Sequence, residues 1–167
     1  MNTIQSEVNP MKVISIIDED FINYKKTSMN VLFPYCILKC DKDCGEAVCY
    51  NSPLLKEPIV EVNPVVLAAR YMSNPLTHAI VCIGMEPFDS WEDLQAIIAA
   101  MRDRTKDDIV IYTGYYEREI HEQIQWLKQY PNIIVKFGRY IPNQEPHFDT
   151  TLGVKLASSN QYGKRIS

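Results

Sequence analysis

The chain has 167 residues, 46% of them apolar, and its 17 basic and 21 acidic side chains leave a formal charge of -4. That is one domain, 1–167, long enough to bury roughly two thirds of its unfolded surface. The acidic balance and the lack of a basic face argue against nucleic acid as a partner, and no apolar run approaches the roughly 20 residues that span a bilayer. Residues Met1 to Pro10 are polar, without a hydrophobic stretch of the signal-peptide kind, so the expectation is a cytoplasmic protein with no membrane partner.

Residues 1–28 read as a lead-in and an N-terminal strand, Met11 to Ile17, ended by Asp18, Glu19 and Asp20. Met29 to Phe33 is a second apolar strand that delivers the chain to a cysteine loop over 34–53, closed by Asn51, Ser52 and Pro53. Asn63 can cap a helix with Pro64 in its first turn and an apolar face of Val65, Leu67, Ala68, Tyr71 and Met72. Thr77 to Ile83 reads as a buried strand. Asp89 or Ser90 caps the next helix, in which Trp91, Leu94, Ile97, Ile98 and Met101 recur at helical spacing. Asp108 to Thr113 is a strand, Glu117 to Gln129 a helix stopped before Pro131, and Ile133 to Phe137 a further strand. Residues 140–167 show no strong period and read as a C-terminal extension wrapping the domain or its site.

Alternating strands and helices predict an α/β fold with a parallel sheet and crossover helices, and ligands in such folds sit at the C-terminal strand ends. Cys36, Gly84 to Pro87, and Thr113 to Tyr115 all lie just past predicted strand ends. Three separated segments should therefore converge on one edge of the sheet.

Four of the five cysteines, Cys36, Cys40, Cys44 and Cys49, fall within fourteen residues, separated by three, three and four residues. In a reducing compartment such a group points to metal or catalysis rather than to disulfides. Closely spaced loop thiolates suit an iron–sulfur cluster, and four cysteines also make a closed tetrahedral zinc site. Cys82 lies inside an apolar strand and reads as a small buried hydrophobe. His78, His121 and His147 share no metal-ligand spacing. Tyr112, Tyr115 and Tyr116 could line an adenine pocket or simply pack.

Cys36, Cys40 and the later run Cys49, Tyr50, Asn51 resemble the cluster loop of the radical S-adenosylmethionine (SAM) enzymes, in particular the small activating proteins of anaerobic ribonucleotide reductase. That family places its third cysteine two residues after the second; here eight residues intervene, so Cys44 is an alternative third ligand, or a fourth. Gly84, Met85, Glu86 and Pro87 resemble the family's Gly-Gly-Glu-Pro turn with Met85 in place of a glycine. Tyr112 to Tyr115 and Ser158 to Gln161 are similar to two further stretches of the activating proteins.

The resemblance implies a compact, open partial βα barrel holding a 4Fe-4S cluster on Cys36, Cys40 and Cys49, with SAM on the free iron. It implies SAM contacts from Gly84, Met85, Glu86, Pro87, Thr113, Tyr50 and Asn51, and no catalytic residue beyond the cluster. The implied reaction is reductive cleavage of SAM to a 5'-deoxyadenosyl radical that places a glycyl radical on a large partner enzyme, first of all anaerobic ribonucleotide reductase; the alternatives are a radical SAM enzyme for a small molecule or peptide, and a noncatalytic zinc or iron–sulfur binding module. A flavodoxin or ferredoxin is the implied electron donor.

Overall fold

In a computed structural model, residues 8–167 are described; residues 1–7, the start of the expected lead-in, lie outside the described residues. Ten strands and four helices follow in chain order: β1 Met11–Val13, β2 Ser15–Asp20, β3 Ser28–Phe33, α1 Lys39–Cys44, β4 Val60–Val62, α2 Pro64–Ser73, β5 Ala79–Gly84, α3 Trp91–Arg102, β6 Asp108–Tyr112, α4 His121–Leu127, β7 Ile133–Phe137, β8 His147–Asp149, β9 Val154–Leu156 and β10 Tyr162–Arg165. No helix among the described residues is long and apolar enough to cross a membrane.

Six strands form one sheet in the order β10-β7-β6-β5-β3-β2. The expected parallel sheet is a mixed one. The inner strands β3, β5, β6 and β7 are parallel, while β2 and β10 pair antiparallel at the two edges. Strands buried on both faces need apolar residues at nearly every position, which is why β5, β6 and β7 read as short continuous apolar runs. Alternation sends Met29, Val31, Phe33, Ile80, Cys82, Ile109, Ile111, Ile133, Val135 and Phe137 to the face covered by the helices, where Leu67, Leu94, Ile98 and Leu127 meet them. Cys82 is fully buried there, and burial pushes its thiol up to about 12.

The opposite face has a thinner cover. Ala79, Val81, Val110 and Ile134 pack there under Tyr24, from the turn between β2 and β3, and under Leu152 and Leu156, from the β8–β9 hairpin. The extension that shows no period in the sequence is thus ordered: it forms this hairpin and then β10, which pairs with β7. The predicted first strand is two, broken at Ile14, and β1 pairs with β4 in a separate ribbon. The predicted helix from Glu117 breaks at Ile120 into a 3-10 turn over Glu117–Glu119 and α4. Asn63 caps α2 as expected, accepting from the Val65 N–H at 2.8 Å.

Candidate metal and cofactor site

On the thinly covered face, Ile83, Tyr112 and Lys136 are the last residues of β5, β6 and β7 to point away from the helices. Just beyond them a cavity of about 250 Å³ opens at the C-terminal strand ends, lined by Cys36, Cys40, Cys49, Tyr50, Asn51, Gly84, Met85, Glu86, Thr113 and Lys136 among others. Two expected residues are not on its wall. Pro87 is buried at the start of a 3-10 turn, and Cys44 faces a separate recess beside Tyr116 and Arg139. Of the three tyrosines considered for an adenine pocket, Tyr112 lines the cavity; Tyr115 donates instead to Asp89 at 2.6 Å, and Tyr116 borders the Cys44 recess.

The turn after β5 is fixed by close backbone approach. Gly84 has φ +97°, and a Cβ there would stand 2.8 Å from Phe33 N and 2.9 Å from Phe33 O, so only glycine fits. The Met85 N–H donates to Phe33 O at 2.9 Å and the Glu86 N–H to Tyr35 O at 2.8 Å, which binds the turn to the segment leading to Cys36. Met85 is not among the residues with positive φ, so its side chain needs no left-handed backbone.

Glu86 is 5% exposed, and burial pushes its carboxyl up to about 7 against the donors around it. Those donors are the Phe88 N–H at 3.1 Å and the Thr113 hydroxyl at 2.8 Å on Oε1, and the Gly114 N–H at 2.9 Å on Oε2. A carboxylate has about four acceptor positions, so roughly one remains for a ligand. Glu86 is first a tie between the turn and the end of β6. The Thr113 hydroxyl is fixed in the same network, since it also accepts from the Tyr115 N–H at 2.9 Å.

Lys136 is a site residue that the sequence reading passes over. Its ammonium donates to Gly138 O at 2.9 Å and Thr113 O at 3.4 Å, and burial lowers its pKa to about 8 while Glu86 and Cys40 oppose that shift. One charged residue inside Ile133–Phe137, otherwise wholly apolar, was the available signal, because a parallel strand buried on both faces has no solvated side for a lysine.

The cysteine segment is built locally. Leu38 takes a left-handed backbone, φ 56°, which turns the chain so that its N–H reaches Cys36 Sγ at 3.2 Å and opens α1. Gly45, φ 72°, ends α1, and Asp41 Oδ1 then accepts from the N–H groups of Val48 and Cys49, each at 2.9 Å. These bonds return the chain and carry Cys49 back to the cavity across the inserted residues. Asn51 closes the loop by donating to Gly84 O at 2.9 Å, joining it to the turn after β5. Burial pushes Cys36 up to about 11, opposed by the Leu38 N–H; it also raises Cys40, opposed by an N–H from Tyr140. Both thiols are further raised by the nearby Cys49.

Among the described residues, no three His, Cys, Asp or Glu side chains are gathered to hold a single metal ion. Zinc–sulfur bonds of about 2.3 Å in a tetrahedron need sulfurs about 3.8 Å apart. Each thiolate of an iron–sulfur cluster binds a different iron, so its sulfurs stand further apart. Three thiols on one cavity wall, one of them, Cys36, accepting a backbone N–H bond, fit the donor chemistry of a cluster. No family model, curated protein or solved structure matches this chain.

Proposed function

We propose that this protein is a radical SAM activase on a small partial barrel, cleaving SAM reductively and placing a glycyl radical on a partner enzyme. The observation that supports it is the meeting of Cys36, Cys40 and Cys49 with the Gly84–Glu86 turn and Lys136 on one cavity at the strand ends. Cys36, Cys40 and Cys49 would hold a 4Fe-4S cluster, leaving one iron without a protein thiolate. When bound, the cluster supplies the electron that cleaves the sulfonium of SAM to methionine and a 5'-deoxyadenosyl radical.

The chain's own residues bind and orient. The methionyl end of SAM carries an ammonium and a carboxylate; the remaining acceptor position on Glu86 and the carbonyls of the turn suit the first, and the buried Lys136 ammonium suits the second. Tyr50 and Tyr140, their rings 5.2 Å apart at the cavity mouth, offer aromatic surface to a base. The radical would take a hydrogen atom from a glycine Cα of the partner, leaving 5'-deoxyadenosine and a glycyl radical. A cavity of about 250 Å³, at the small end of small-molecule sites, suits a substrate that inserts a loop. The catalytic subunit of an anaerobic ribonucleotide reductase is the first partner to test, with flavodoxin or ferredoxin as donor.

Protein reconstituted anaerobically with iron and sulfide, then given dithionite and SAM, is expected to release methionine and 5'-deoxyadenosine in equal amounts. A stable cluster with no cleavage of SAM would sink the proposal.

A further inference from the structure

The cysteine helix α1 has no buried residue, so core packing does not hold it. What faces it is a buried cation. Arg139, whose side chain is 8% exposed, follows the end of β7 and reaches Asp43 of α1 with Nε 2.6 Å from Oδ2, an ion pair without hydrogen-bond alignment. The same guanidinium donates to both oxygens of Glu119, at 2.7 Å from Nη1 and in a shorter contact from Nη2, and to Gly114 O at 3.2 Å. Glu119 in turn takes Lys39, the first residue of α1, at 3.2 Å. Both ends of the helix are therefore tied to one arginine–glutamate pair.

The arginine also stands close to the thiol: a Cβ on Gly114 would lie 3.6 Å from Cys40 Sγ and 3.8 Å from the Arg139 side chain. The segment carrying Arg139 is set from the C-terminal extension: Asn160 donates to Arg139 O at 2.8 Å, and Gln161 to Gly138 O at 3.3 Å. Gly138 has φ +101°, and a Cβ on it would stand 2.9 Å from Asn160 O, so the two segments are pressed together.

We infer that Arg139 is a positioning residue for Cys40, fixing α1 on the cavity through Asp43 and Glu119. The inference rests on the activase reading only in taking Cys40 as a ligand. An arrangement made of ion pairs at a partly open surface weakens with ionic strength, whereas the apolar core does not. A guanidinium bridging two carboxylates is also not replaceable by an ammonium, which lacks the planar fork.

The test is alkylation of the reduced, metal-free full chain by iodoacetamide, each cysteine followed by peptide mass mapping. In the unaltered protein Cys40 should react more slowly than Cys44 and gain rate between about 0.05 and 1 M NaCl. Arg139→Gln should raise the Cys40 rate about tenfold and remove its salt dependence, and Arg139→Lys should restore only part of the protection. Asp43→Asn changes a side chain that is 57% exposed, outside the apolar core, and gives a smaller increase. Unreactive Cys82 reports that the core is intact. Unchanged or slowed Cys40 alkylation in both Arg139→Gln and Asp43→Asn overturns the inference, as does a rise in Arg139→Gln only in step with Cys82 while Asp43→Asn does nothing. Because no metal is used, failure of the unaltered protein to take up a cluster would sink the activase reading and leave this result standing.

Discussion

On the strand side of the cavity, Glu86, Thr113 and Lys136 are buried, the Thr113 hydroxyl donating to Glu86 and the Lys136 ammonium to Thr113 O, and Gly84 lies against Phe33 with no room for a methyl group. On the cysteine side, α1 has no buried residue and stands on the ion pairs of Lys39 and Asp43 and on the backbone N–H groups that Asp41 accepts. The first wall is set when the sheet folds, because its polar groups cannot leave their partners without remaining buried and unpaired. The second can open while the sheet stays intact, since local opening costs least where few apolar contacts are lost. On the proposed activase reading that difference has a use, because a centre loaded after folding needs a rigid surface for SAM and a thiol-bearing segment that can admit the metal.

The largest expected effect belongs to the rigid wall. Gly84→Ala adds a clash with the Phe33 backbone to a positive φ and should lower stability by about 4 kcal/mol, read from urea unfolding. A loss under about 1 kcal/mol would mean that the two strand ends are not pressed together.

Next comes pH. A folded pKa raised to about 7 means that between the unfolded value near 4.5 and pH 7 the native state binds the extra proton, so stability is full below about pH 4.5 and falls as pH rises through 7. The shift corresponds to about 3 kcal/mol. Glu86→Gln should flatten that slope in unfolding measured from pH 4.5 to 8, and an unchanged slope would assign it to another group.

A smaller effect is expected at the strut between the walls. Asn51→Ala removes the bond to Gly84 O and should cost about 1 kcal/mol in global stability. If the walls are as different as described, its larger consequence is faster iron loss to a chelator, because the cysteine loop is freed while the sheet is not. Equal effects on both readouts would blur the distinction.

The sequence made the rigid wall easier to read than the flexible one. The inner strands are continuous apolar runs, so β7 is where the pattern puts it, Ile133–Phe137, and the turn at Gly84 follows from where β5 ends. Gly84, Glu86 and Thr113 were accordingly placed at one edge, although burial of Glu86 by its own donors gives it a structural task beyond ligand contact. The α1 helix carries no apolar period over Lys39–Cys44 and is too short for propensity to announce it. Asp41 and Arg139 owe their roles to partners that no spacing rule connects: Val48 lies 7 residues from Asp41, Glu119 and Gly114 lie 20 and 25 residues from Arg139, and Asp43 is further still along the chain. The extension was illegible for a related reason: β8, β9 and β10 have three or four residues each, and β10 exists because β7 offers it an edge.

The most direct test of the account is the electron paramagnetic resonance spectrum of the anaerobically reconstituted, reduced protein with and without SAM. The account predicts a reduced 4Fe-4S signal whose position changes when SAM is added, and which is lost in Cys36→Ala, Cys40→Ala and Cys49→Ala but kept in Cys44→Ala. A protein that binds zinc in place of a cluster, or a cluster signal indifferent to SAM and lost in all four variants, would contradict it.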